Sequence, residues 1–138
     1  MTVATITTDI NIGPFKIPSN GQNMIMNNYA NRAGIAVEIV IPEPMKSNVL
    51  ATTQWLMEDM KIDTIILCSI HQLPKKDEDF IKLKENLKNI EFHFALEGLS
   101  GKGTEFLDHC KKEAKSFDDA EHLSNDYSWS DLYKQINK

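Results

Sequence analysis

Ser69 and His71, two positions apart, and Glu97 further along the chain carry side chains suited to moving protons or attacking an electrophile. An imidazole exchanges its proton near neutral pH, so His71 is a candidate acid or base. A carboxyl group at a strand end becomes a usable base where burial raises its pKa, and a neighbouring cation such as Lys16 acts in the opposite sense. A second group, Asp9, Lys16, Ser19, Asn20, Gln22 and Asn23, combines a cation, a hydroxyl and amides just ahead of a helical pattern. The first N–H groups of a helix have no intrahelical acceptor, and they suit a phosphate or carboxylate. Each residue also has a purely structural use. Ser19 or Asn20 can cap the helix. Gln22 and Asn23 can bond a neighbouring loop, and His71 beside Pro74 can be an ordinary loop residue. His93 shares a strand face with Ala95 and Glu97 if the strand is regular, and it reads as a core histidine bonded to backbone. No metal site is expected: Asp77-Glu78-Asp79 is charge that complements a helix dipole. Cys68 and Cys110 have neither ligand spacing nor a disulfide framework, so both are expected as thiols. No cofactor is expected either.

The elements that must position these residues alternate. Residues 3–8 form a β-branched first strand, followed by a loop punctuated by Gly13-Pro14 and Pro18. A helix then runs to Ala33, with Met26, Tyr29, Ala30 and Ala33 along one side and Gly34 as its stop. Residues 35–41 give a buried strand ended by Pro42-Glu43-Pro44. Ser47 or Asn48 caps a second helix ending near Lys61, with a stripe of Leu50, Thr53, Trp55, Leu56 and Met60. Residues 64–69 make the third strand, residues 77–87 a helix with Phe80, Leu83 and Leu87 on one face, and residues 90–96 the fourth strand. Repeated alternation requires right-handed crossovers and a parallel sheet covered on both faces. The expected fold is a single α/β domain, with a four-stranded parallel sheet over residues 1–100 and a C-terminal helical extension over residues 101–138. In that extension Gly101 and Gly103 read as a flexible turn, residues 104–115 as a helix, residues 118–126 as an acidic loop and Ser128-Trp129-Ser130-Asp131-Leu132-Tyr133 as a short capped helix. In such sheets ligands settle outside the carboxyl ends of the strands. Asp9, Ser69, His71 and Glu97 all fall there.

Composition narrows the partners. A chain of 138 residues with 41% hydrophobic and 25% charged residues can bury a core without staples. The net charge of −5, with Arg32 the only arginine, disfavours a nucleic-acid partner, whose binding depends on cations displacing counterions. Apolar runs such as Ile65-Ile66-Leu67-Cys68 are too short to cross a bilayer, and the first residues lack a signal pattern, so a cytoplasmic protein without a membrane partner is expected.

The order of strand, Lys16-Ile17-Pro18-Ser19-Asn20-Gly21-Gln22, helix, strand, helix, strand, Ser69-Ile70-His71-Gln72-Leu73-Pro74-Lys75, helix, strand, Leu96-Glu97-Gly98 resembles the serine-recombinase (resolvase) catalytic domain. That family carries an arginine and a nucleophilic serine where this chain has Lys16 and Pro18, so the resemblance implies a resolvase-like fold without the nucleophile of recombination. Ile17-Pro18 with Gln22-Asn23 and Tyr29, Ser69 with Gln72-Leu73-Pro74, and His93-Phe94-Ala95 with Glu97 resemble the sporadic carbohydrate cluster protein family over residues 5–99. The chain has Asp9-Ile10-Asn11 where those relatives tend to have Ser-Arg-Pro. What this second resemblance implies is a setting in bacterial surface-polysaccharide or modified-sugar synthesis. It defines no reaction; with a helix start suited to an anion, that setting makes a small phosphorylated sugar or nucleotide sugar the expected ligand, and the residues themselves offer His71, Glu97 and Ser69 as candidate catalytic groups. Self-association is common among recombinase-like domains, which implies a homo-oligomer. A non-catalytic oligomeric scaffold is the alternative, and whether the chain is an enzyme stays open.

Overall fold

The computed structural model describes residues 1–9, 16–43 and 50–126, with side chains as far as residue 117 and at residue 119. The elements in chain order are β1 (Val3–Thr7), α1 (Ser19–Ala33), β2 (Ile39–Pro42), α2 (Ala51–Leu56), β3 (Thr64–Leu67), a single 3-10 turn (Ile70–Gln72), α3 (Asp77–Asn86), β4 (Glu91–Phe94), β5 (Leu99–Lys102) and α4 (Thr104–Asp126). The strands lie in the order β2-β1-β3-β4-β5. The first four are parallel and β5 is antiparallel to β4.

The expected four-stranded, all-parallel sheet is therefore corrected to a five-stranded mixed sheet. Gly98, at φ 67°, reverses the chain after β4, a backbone conformation that costs glycine nothing. Gly101, expected in a flexible turn, is a β5 residue. A Cβ there would lie 2.5 Å from the Phe106 ring, so the missing side chain is what lets that ring close over the strand. The acidic stretch expected as a loop over residues 118–126 is helical and belongs to α4. It has no glycine or proline to stop it, and its Ala, Glu and Leu favour helix. The Gly13-Pro14 loop, the Ser47 and Asn48 caps and the segment containing Trp129 lie outside the described residues.

Side chains alternate across the sheet with period two. Val3, Ile66 and Cys68 face α1, where they meet Met26 and Ala30. Ala4, Ile6, Ile65, Leu67, Phe92 and Phe94 face the other way, onto Leu83 and Leu87 near α3 and Leu107 and Cys110 of α4. Helices thus cover both faces, as a mostly parallel sheet requires.

Three details depart from the expected caps and stripe. Pro18, extended at φ −64° and ψ 159°, occupies the N-cap of α1, and Ser19 and Asn20 are its first helical residues with no capping side chain. A proline's φ is already set for that junction, which leaves the serine no capping position. At the other end Gly34 takes the left-handed conformation and Ile35 N–H donates to Ala30 O at 2.9 Å, which stops the helix. The start of α2 is held by buried Glu43, whose carboxylate accepts from Thr52 N at 3.1 Å, Thr53 N at 2.6 Å and the Thr53 hydroxyl at 2.7 Å. Trp55 and Met60, expected in the apolar stripe of that helix, are 75% and 43% exposed: α2 turns Thr53 inward and Trp55 outward, and it ends at Leu56, before Met60.

Candidate functional site at the carboxyl rim of the sheet

From β1 the chain moves to β2 on one side, and from β3 it moves to β4 on the other. The connections diverge between β1 and β3, the place where sheets of this kind hold their ligands. Here that crevice has a floor of two fully buried amides. The Gln22 carbonyl accepts from Thr8 N at 3.0 Å, and its NH2 donates to Thr8 O at 2.7 Å and Ile17 O at 2.8 Å. Gln72 donates to the Thr8 hydroxyl at 2.9 Å, lies 3.4 Å from Gln22 Oε1, and accepts from Ser69 N at 3.0 Å. The Gln22 amide, a candidate ligand contact from sequence, is spent on the loop backbone. Thr8 follows the first strand at the rim and Gln72 belongs to a resemblance motif, but neither is a site candidate from sequence.

The parallel order brings the ends of β3 and β4 together, and with them Ser69 and Glu97. Ser69 is fully buried; its hydroxyl donates to Glu97 Oε2 at 2.8 Å and accepts from His71 N at 3.2 Å. The second carboxylate oxygen accepts from Ile70 N at 2.8 Å. Glu97 itself is exposed on the rim. The Ser69 proton points at a carboxylate, but the oxygen has no open face, so in this conformation the pair acts as a clasp closing the 3-10 turn. Burial, assisted by the Glu97 charge, pushes the Cys68 thiol up to about 11, and burial followed by Glu97 and Glu113 does the same for Cys110. Both therefore stay protonated and unreactive at neutral pH.

Lys16 and Asp9 form an exposed ion pair at 3.9 Å beside the start of α1. Ser19 and Asn20 are exposed there and Asn23 is half-buried. Among the described residues the first turn of α1 has neither a capping side chain nor an acid, whereas α3 opens on Asp77, Glu78 and Asp79. His71 turns toward α4, its ring 5.0 Å from that of Phe117. It lines a cleft of about 240 Å³ with Ile70, Leu73, Lys75, Lys111 and Lys115. Lys111 donates to the carbonyls of Pro74 and Lys75 across its wall. The candidates thus fall into two groups flanking the glutamine floor. Asp9, Lys16, Ser19 and Asn20 gather at α1, while Ser69, His71 and Glu97 gather at the 3-10 turn on the α4 side.

His93 is bonded to side chains instead of backbone: the Tyr29 hydroxyl lies 2.7 Å from Nδ1 and Glu91 lies 2.9 Å from Nε2. A single strand face cannot carry His93, Ala95 and Glu97 together as expected, because β4 ends at Phe94 and the chain turns before Glu97. Among the described residues no three of His, Cys, Asp or Glu gather to hold a metal ion, and no helix is long and apolar enough to cross a membrane.

By sequence, no family profile and no curated protein matches the chain. By structure it is similar to the crystal structure of the N-terminal catalytic domain of TP901-1 integrase, with a TM-score of 0.60 and 14% identity over 91% of this chain and 99% of that one. The fold is resolvase-like. At that identity the likeness extends to architecture alone, and the chemistry has to be argued from this chain's own residues. In this resolvase-like domain the start of α1 presents Lys16, Pro18 and exposed Ser19 to the rim, and the proline has no nucleophile to offer.

Proposed function

We propose that the chain binds a phosphorylated sugar or nucleotide sugar at the carboxyl rim of its sheet and serves bacterial surface-carbohydrate or modified-sugar synthesis. The observation that carries this reading is the amino end of α1. Among the described residues this 15-residue helix opens onto the rim with no capping side chain and no first-turn acid, and with Lys16 beside it. A helix end left in that state attracts an anion, and a phosphate is the best complement to its N–H groups. Ser19, Asn20 and Asn23 supply hydroxyl and amide groups for the sugar. Across the glutamine floor, the His71 cleft is lined by lysines and Asp77 together with Ile70, Leu73 and Ala114, and its apolar members suit the less polar half of a ligand.

The biosynthetic setting rests on the motif resemblance to the sporadic carbohydrate cluster family, whose motif residues lie in contact with one another in this chain. Gln22 meets Gln72, Ser69 meets Glu97 and Tyr29 meets His93, so residues from different motif blocks are joined in pairs. In the catalytic form of this proposal His71 exchanges protons at the ligand, Glu97 accepts its hydroxyl hydrogens, and Ser69 holds Glu97 in place.

The test is a thermal-shift screen of the whole chain against inorganic phosphate, sugar phosphates and nucleotide sugars. A ligand present at 100 times its Kd stabilises the folded state by about 2.7 kcal/mol. The expected result is a raised Tm with at least one phosphorylated sugar that shrinks in Lys16→Ala. No shift with any compound at millimolar concentration overturns the reading. A non-catalytic homo-oligomeric scaffold is the second reading, favoured by the exposed Trp55 and Met60 beside α2. It is distinguished by a dimer in light scattering that persists in His71→Ala and Glu97→Ala.

A further inference from the structure

A second cluster of reactive groups lies away from the rim, on the sheet face that α1 only partly covers. On that face α1 packs over β1 and β3 through Met26 and Ala30. Beyond it, β4 and β5 form a polar platform. In the antiparallel register Glu91 stands opposite Lys102 and His93 opposite Ser100, so all four side chains emerge on one side. The other side of the same pair is core, with Phe92 and Phe94 packed beneath. Glu91 has 47% of its side chain exposed, Ser100 and Lys102 are exposed, and Tyr29 leans in from α1 half-buried.

The hydrogen bonds on this platform run in one direction. A carboxylate only accepts, so His93 Nε2, 2.9 Å from Glu91, carries the proton. In the neutral ring Nδ1 is then a lone-pair acceptor, and the Tyr29 hydroxyl at 2.7 Å donates to it. A hydroxyl bonded to an imidazole that a carboxylate orients is the arrangement by which enzymes activate an oxygen nucleophile. We propose that Tyr29, His93 and Glu91 form a second reactive site, in which the Tyr29 oxygen attacks the carbonyl carbon of an activated acyl ester.

In this step the Tyr29 Oη–acyl bond forms and the ester C–O bond breaks. The phenolic proton passes to His93 Nδ1, the electron pair departs on the leaving alkoxide or phenolate, and Glu91 balances the imidazolium charge. Lys102, opposite Glu91 on the same face, is the nearest cation by register to the carbonyl oxygen that becomes anionic in this step. The phenol needs this help. Burial first, and the Glu91 charge second, raise its pKa above the usual phenolic value, with the Ser100 hydroxyl acting the other way, so at neutral pH it attacks only with a base beside it.

The probe is p-nitrophenyl acetate, applied to the full chain at neutral pH, with acid quench and mass mapping of the acetylated peptides. The expected result is acetyl on Tyr29, none at that position in Tyr29→Phe, and about 100-fold slower labelling of Tyr29 in His93→Gln, the scale of a lost general base. Because His93 is buried, Glu91→Gln provides the variant least able to disturb folding. It is expected to slow Tyr29 labelling with an unchanged Tm, and Glu91→Asp to restore part of the rate. Labelling confined to lysines and the amino terminus, or Tyr29 labelled equally fast in His93→Gln and Glu91→Gln, overturns the proposal.

Discussion

Gln22 illustrates how one side chain can determine whether a rim exists at all. Its amide makes three hydrogen bonds to the backbone around the first loop, the two to Thr8 fully buried and the one to Ile17 partly so. Gln22→Leu keeps the volume and strands Thr8 N–H, Thr8 C=O and Ile17 C=O. Each unpaired buried group costs about 1–3 kcal/mol, so a loss of about 3 kcal/mol is expected after partial relaxation, read as a lower urea midpoint with an unchanged slope. The buried thiols give a pH signature at the same scale. Cys68 and Cys110 titrate near 11 in the folded chain and lower when unfolded. With the folded pKa raised, their contribution to stability is complete below the unfolded thiol value of about 8.5 and is lost as pH climbs from there toward 11. Urea midpoints measured across that interval are expected to fall, and to fall less in Cys68→Ala/Cys110→Ala, once the baseline cost of the two substitutions is subtracted.

Among the elements, β5 is the one whose existence depends on a neighbour. Gly101→Ala places a methyl 2.5 Å from the Phe106 ring, which must move or push the strand away. Overpacking of this kind costs about 2 kcal/mol, and in a Phe106→Ala background the same substitution is expected to cost less than about 0.5 kcal/mol, a coupling that a double-mutant cycle measures. The contrast between this strand and the others shows what the sequence reveals. β1, β3, α3 with its Phe80, Leu83 and Leu87, and the Gly34 stop of α1 are legible because each is encoded within its own segment, by periodicity or by a residue that tolerates positive φ. Leu99-Ser100-Gly101-Lys102 holds one apolar residue and a glycine, and it becomes a strand only because β4 offers an edge and Phe106 a cover. The Glu43 cap on α2 is equally hidden, since the acceptor sits nine residues before Thr52.

Over the whole molecule, the parallel order of β1 to β4 explains why residues from three separate segments reach one rim. That much of the candidate site follows from alternation of strand and helix. Which way each side chain turns does not, because it depends on contacts between segments: Phe117 draws His71 toward α4, and the two glutamines close the floor between the halves. The resolvase-like architecture is shared with the integrase domain at 14% identity, and a common frame of this kind supports different chemistries through its loops.

The central claim is that a phosphorylated sugar settles at the amino end of α1. A ¹H–¹⁵N NMR titration of the full chain with a nucleotide sugar measures this directly, residue by residue. The expected result is saturable shifts in the amides of Lys16, Ser19, Asn20 and Gly21, absent with the unphosphorylated sugar. Saturable shifts confined to other surfaces, or none at these four amides at millimolar ligand, would contradict the claim.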